Sequence, residues 1–182
     1  MRNLKILAVA GLATAALAIT TPAPAEEAVF VMHKIDAKGV GEPIGRITVR
    51  DSPEGMVLES DLRDLPPGQH GFHFHETADC RPSVEDGKPL AAGRSGDHFD
   101  PDRTGKHLGP TGDGHRGDLP LLEVDSDGSV EGPLAAPRLK VRQVRDLALV
   151  IHAESDNFSD VPEPLGGSGG RIACGTLKNS KT

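Results

Sequence analysis

The chain has 182 residues, with 20 Lys and Arg against 27 Asp and Glu for a net charge of −7, no Trp or Tyr, and five Phe. An acidic chain repels a phosphate backbone, which argues against nucleic-acid binding. With so few aromatic side chains, the core of a single domain must be built from Val, Leu, Ile and Ala.

At the N-terminus, Arg2 and Lys5 flank the start of an apolar run from Ile6 to Ile19, and Ala23-Pro24-Ala25 follows. This is the pattern of a secretory signal peptide, and the run is shorter than the roughly 20 residues of a membrane span. Cleavage is expected after Ala25, leaving residues 26–182 as one exported domain that is more acidic still; an uncleaved anchor is the alternative. No Cys stands at the cleavage site, and no second apolar span follows, so no membrane association is expected after cleavage.

Beyond the signal, apolar and polar residues alternate over 28–35, 44–51, 55–62, 69–75, 119–125 and 147–151, and a last strand is expected over 171–177. Asp127-Gly128 marks a hairpin turn. No stretch carries a capped helical period. Many short strands divided by Gly, Pro and Asp turns predict an all-β sandwich or Greek-key barrel. Two segments break the pattern, residues 77–118 and 153–170. Loops of such length inside a compact domain are functional or disordered as a rule. They bury little apolar surface, so ordering must come from elsewhere, and a disulfide or a bound metal would serve. The two cysteines, Cys80 and Cys174, fit one disulfide in an oxidising compartment, two free thiols being the alternative. Closing so long a loop is worth about 4–5 kcal/mol in the chain-entropy model.

Eight histidines are present: His33, His70, His73, His75, His98, His107, His115 and His152. In His73-Phe74-His75, both imidazoles leave one face of a strand and can grip one ion, while Phe72 and Phe74 point into the core. His98, His107 and His115 with Asp118 offer three nitrogens and a carboxylate, a set suited to tetrahedral zinc; scattered solvated histidines are the alternative. His152, at the end of its strand, would complete a nitrogen set with His73 and His75 suited to Cu²⁺. His70 shares strand parity with Phe72 and Phe74 and is expected to be a buried structural histidine. His33 is expected not to ligate.

The segments HGFHFHE at 70–76, DHFDP at 97–101, KHLGP at 106–110, HRGDLP at 115–120, VIHAESDN at 150–157 and GGSGGRIACG at 166–175 resemble copper–zinc superoxide dismutases of the bacterial periplasmic kind. The order of the motifs and the placing of both cysteines match as well. The resemblance implies an eight-stranded Greek-key β-barrel or sandwich, immunoglobulin-like, with two long functional loops. It implies copper on His73, His75, His98 and His152, and zinc on His98, His107, His115 and Asp118, with His98 bridging. Asp156 would hold one histidine of each metal, Arg171 would dock the superoxide anion, and Cys174 would tie the arginine's strand to Cys80. The implied reaction takes an electron from one superoxide, releasing O₂, and gives it to a second, which leaves as H₂O₂, with His98 carrying a proton between the half-reactions. The implied compartment is the periplasm, and a homodimer is compatible with the family. The competing readings are a copper-only enzyme of the same fold and a non-catalytic periplasmic copper-binding protein.

Two departures stand out. The loop 153–170 has no Lys or Arg but carries Glu154, Asp156, Asp160 and Glu163. Steering of the anion is therefore expected from Arg171 with Lys88 or Arg94. Asp97 stands where the family often has Gly, beside the bridging histidine, where a carboxylate would lower the rate or the redox potential.

Overall fold

The structure, a computed structural model, describes residues 25–130 and 132–177. The expected signal peptide lies outside them, apart from Ala25. Among the described residues eleven strands run in chain order: β1 Glu27–Asp36, β2 Gly39–Ser52, β3 Gly55–Leu62, β4 Gly68–His70, β5 Phe72–His75, β6 Ser83–Glu85, β7 Lys88–Leu90, β8 Leu122–Val124, β9 Pro133–Ala136, β10 Ala148–His152 and β11 Arg171–Thr176. Seven form one antiparallel sheet in the order β5-β10-β11-β1-β2-β3-β9, β4 pairs with β8, and β6 with β7. The curled sheet is a Greek-key β-barrel. The expected eight strands are recovered when β4 and β5 count as one strand broken at Gly71 and the β6–β7 hairpin is set aside as part of a loop.

Alternation explains the barrel wall. In β1, Ala28, Phe30 and Met32 face inward, and in β2 Ile47 and Val49 do the same while Arg46, Thr48 and Arg50 do not. An edge-to-face contact of Phe30 and Phe74, centroids 5.6 Å apart, joins opposite parts of the core.

The structure corrects several expected bounds. The strand expected over 69–75 is cut at Gly71, where a Cβ would stand 2.4 Å from Ser168 Oγ. Gly71 N donates to Glu154 O (2.8 Å) and its carbonyl accepts from His152 N (2.8 Å), so the break seats the second long loop against the wall. The strand expected over 119–125 shrinks to β8, because its partner β4 is only three residues long. β9 was not expected: Pro-Leu-Ala-Ala does not alternate, and it forms because β3 presents a free edge. The turn at Asp127-Gly128 is present, closed by Asp125 N to Ser129 O (2.8 Å).

The loop 77–118 is not structureless. It holds the β6–β7 hairpin and a 3₁₀ turn at Gly93–Ser95. Cys80 and Cys174 form a disulfide, with Cα atoms 5.8 Å apart. The bridge sits in a small apolar cluster with Ile35, Ala92, Ala148 and Val150 on the outer side of β10 and β11.

Candidate metal centre

His73 and His75 on β5, His98 on the first long loop and His152 at the end of β10 bring one nitrogen each within 4.8 Å of one another, all buried. β5 pairs directly with β10, and an isolated bridge joins His75 to His98. His75 Nδ1 donates to Gly96 O (2.9 Å) and His152 Nδ1 to Gly169 O (3.2 Å), so each Nε2 carries a lone pair. Those two Nε2 atoms face each other at 3.3 Å. Burial, with the neighbouring His98, Arg171 and His152, holds His75 well below its ordinary pKa. Burial, with His73 and His98, does the same to His152. Burial, with His73, takes His98 down to about 3. Neutral imidazoles are the form that binds metal.

A second group adjoins the first. His73, His98, His107 and Asp118 also bring ligand atoms within 4.8 Å of one another. His115, expected here, lies slightly outside that radius, with Nδ1 3.5 Å from Asp118 Oδ1 and its ring 5.5 Å from that of His98. His73 enters by proximity, but its Nε2 is committed to Asp156 Oδ2 at 2.6 Å. Asp156 also accepts from His107 Nε2 at 2.8 and 3.0 Å, so one carboxylate holds a histidine of each group. Burial would lower the His107 pKa, but Asp118 and Asp156 outweigh it and raise it to about 9. Burial likewise opposes ionisation of Asp118, yet its contacts with His107, His115 and His98 keep it well below the carboxylate range. Gly166 leaves room for Asp156: at φ 76°, a Cβ there would lie 2.1 Å from Asp156 Oδ1.

The first group faces a hollow of about 420 Å³ lined by Leu90, by residues 163–170 of the second loop except Gly166, and by Arg171 at the start of β11. Arg171 is its only cation. Of the four acidic residues noted in the loop 153–170, only Glu163 lines the hollow. Neither Lys88 nor Arg94 lines the hollow. Lys88 is exposed on β7, and Arg94 lies 4.0 Å from Asp79 beside a different hollow. Asp97 is exposed and adds, after Glu85, to the negative field at Arg171. His70 is buried between Pro66 O and His152 O, both at 2.8 Å, and His33 bonds Gly41 O at 3.0 Å, so neither joins a group.

The donors fit metal ions. The buried atoms His73 Nδ1, His107 Nδ1, His115 Nδ1 and Asp118 Oδ2 have no hydrogen-bond partner. His107 Nδ1 and Asp118 Oδ2 are 3.1 Å apart in an orientation that makes no hydrogen bond. Buried lone pairs converging on one another are costly unless a cation lies among them. Imidazoles alone suit copper, and imidazoles with a carboxylate suit zinc.

A Greek-key barrel whose long loops close over two fused, histidine-rich ligand groups is a two-metal protein, with one group open to a hollow and the other sealed. Comparison with known proteins makes this specific. The family model "Copper/zinc superoxide dismutase (SODC)" matches residues 44–177, and the chain belongs to that family. It is 46% identical over 168 residues to the superoxide dismutase [Cu-Zn] of Escherichia coli K12, covering 92% of this chain and 97% of that one. It is 49% identical over 148 residues to superoxide dismutase [Cu-Zn] 2 of Salmonella typhimurium, covering 81% and 86%. Among solved structures, the Cu/Zn superoxide dismutase from Brucella abortus superimposes with a TM-score of 0.82 at 42% identity, covering 84% of this chain and 99% of that one. The chain is thus an oxidoreductase that disproportionates superoxide with copper and zinc as cofactors.

Proposed function

We propose that His73, His75, His98 and His152 hold the copper, that His98, His107, His115 and Asp118 hold the zinc, and that Arg171 docks the superoxide anion. The observation that carries this reading is the position of His98. Its Nδ1 is 3.0 Å from Asp118 Oδ1 in the second group, while its ring stacks on His73 of the first, centroids 3.9 Å apart. The unpartnered Nδ1 atoms of His107 and His115 and the free Oδ2 of Asp118 support the zinc assignment. A protein that merely stores copper needs neither a shared imidazole nor an arginine beside the site.

Bound copper supplies the one-electron couple that oxidises one superoxide to O₂ and reduces a second, which leaves with two protons as H₂O₂. The chain does the rest. Asp156 accepts from the Nε2 atoms of His73 and His107 and so turns both Nδ1 atoms inward. His98 Nε2, opposite the nitrogen held toward Asp118, is the atom that can take up a proton and pass it to the reduced substrate. Arg171 supplies N–H donors and a fixed positive charge where the anion arrives. We further propose that residues 1–25 are a cleaved signal and that residues 26–182 work in the periplasm, in keeping with the bacterial relatives.

The test is metal content and superoxide dismutation of the chain purified with both ions. One copper and one zinc per chain with turnover are expected. His98→Ala is expected to lose more than about a hundredfold in rate, since a metal-bridging ligand matters more than an outer hydrogen-bond partner worth about 10–100-fold. Full metal loading without turnover would leave a copper-binding protein. The intact mass of the exported form checks cleavage after Ala25.

A further inference from the structure

We propose that Ser95 is a positioning residue for Arg171, its buried hydroxyl holding the guanidinium so that Nε–H and one N–H of Nη2 stay free for the anion. This rests on Arg171 being the docking residue. Ser95 is fully buried at the end of the 3₁₀ turn Gly93–Ser95. Its Oγ donates to Ala92 O at 2.8 Å. That uses its only proton, so what it presents to Arg171 Nη1, 3.1 Å away, is a lone pair. Arg171 Nη1 also donates to Ala92 O at 2.8 Å, and Nη2 donates to Gly96 O at 2.9 Å.

A guanidinium has five N–H groups in a rigid plane. Three hydrogen bonds go to the turn, two from Nη1 and one from Nη2. Nε gives none to the turn and Nη2 has a second N–H beside it, and these adjacent nitrogens are the pair that can hold the two oxygens of a small anion side by side. Gly96 O accepts from His75 Nδ1 as well, so one carbonyl aligns the arginine with a histidine of the copper group. The turn itself is held under strain: Ala92 has φ 47°, an uncommon conformation for a residue with a Cβ. The Ser95 hydroxyl, bonded to both Ala92 O and the guanidinium, closes this turn from within. Without it, Nη1 loses one of its two acceptors and the arginine can swing away from its fixed orientation.

The experiment compares Ser95→Ala, Ser95→Thr and Arg171→Ala with the parent. Three quantities are measured: azide affinity of the metal-loaded protein by spectral titration, the KM and kcat for superoxide, and the rate at which phenylglyoxal labels Arg171 in loaded and metal-free protein, read by peptide mass. For Ser95→Ala, azide affinity is expected to fall about three- to tenfold, the scale of one net hydrogen bond. KM is expected to rise with kcat nearly kept, and Arg171 labelling to quicken by a similar factor. Ser95→Thr keeps the hydroxyl and is expected to behave as the parent in all three. Should Ser95→Ala fail to fold, Thr carries the test, and faster labelling or weaker azide binding in Ser95→Thr overturns the proposal. Ser95→Ala with parental labelling and azide affinity also overturns it, including the case where only thermal stability or metal content falls. If Arg171→Ala keeps the parent's rate and azide affinity, the docking role and this inference fall together. If Arg171→Ala loses both while Ser95→Ala loses neither, the inference alone falls.

Discussion

The groups proposed for the two metals share His98 but keep different company. The group proposed for copper contains imidazoles only, held by the carbonyls of Gly96 and Gly169, and it opens onto a hollow. The group proposed for zinc contains Asp118, leans on Asp156 and is sealed on all sides. A neutral set facing solvent can change charge and admit an anion. A set with its own carboxylates neutralises a dication and is shut to exchange, so it orders the loop that wraps it. The contrast separates a place for turnover from a place for structure, although a single imidazole belongs to both.

The largest expected effect that would break this contrast comes from Asp156→Asn. Asparagine cannot accept from both His73 and His107 with the strength of a carboxylate, so zinc affinity is expected to drop about 10–100-fold. Competition with a chelator measures it, and an unchanged affinity would mean that Asp156 does not organise the sealed group. Arg138 acts on the same group more mildly. Its guanidinium donates to His115 O at 3.1 Å and Gly114 O at 2.8 Å, fixing the backbone of that ligand. Arg138→Ala is expected to speed zinc release about fivefold, the loss of about 1 kcal/mol, the net worth of one hydrogen bond.

In the metal-free protein the two groups pull stability in opposite directions with pH. His107, raised to about 9, stabilises the fold fully below pH 6.5, and that contribution is lost as pH rises toward 9. His73, His75, His98 and His152 are lowered, chiefly by burial, so the unfolded chain binds more protons and stability falls below pH 6.5. The depressed Asp118 and Asp156 add to the acid loss below about pH 4. Chemical denaturation of the metal-free, disulfide-intact chain should therefore show a maximum near neutrality, and zinc should flatten the alkaline side by replacing the His107 proton. A profile flat from pH 6 to 9 would contradict the His107 assignment.

The smallest effect sharpens the open side. Glu163 is an anion on the rim of a hollow whose only cation is Arg171. Glu163→Gln is expected to raise kcat/KM for superoxide by up to about twofold at low salt, the gain fading above about 0.1 M salt as screening sets in. Stopped-flow rates against ionic strength check it. Lys88→Ala and Arg94→Ala, away from the hollow, are expected to change that dependence less.

Much of this was legible beforehand, for physical reasons that differ by element. Alternation in β1, β2 and β3 is a local property, and it located those strands. The pair His73 and His75 was readable because two residues apart on a strand means one face. The motif likeness extended the reading to His98, His107, His115, Asp118, His152 and Asp156, which the structure brings together. β9 escaped because its strand character comes from an edge of β3 and not from its own residues. Gly71 escaped because the need for a bare Cα is set by Ser168, far away in the chain.

By itself, the sequence determined which donors exist, in what order, and which short segments alternate, since side-chain chemistry and strand period are carried by each residue and its neighbours. Tertiary structure alone decided that Ala92 and Gly96 carbonyls and the Ser95 hydroxyl hold Arg171, that Glu163 and not Lys88 or Arg94 faces the hollow, and that Arg138 reaches His115. Every residue has a carbonyl, and a long loop can aim it in any direction, so only the folded path tells which carbonyls converge on which cation.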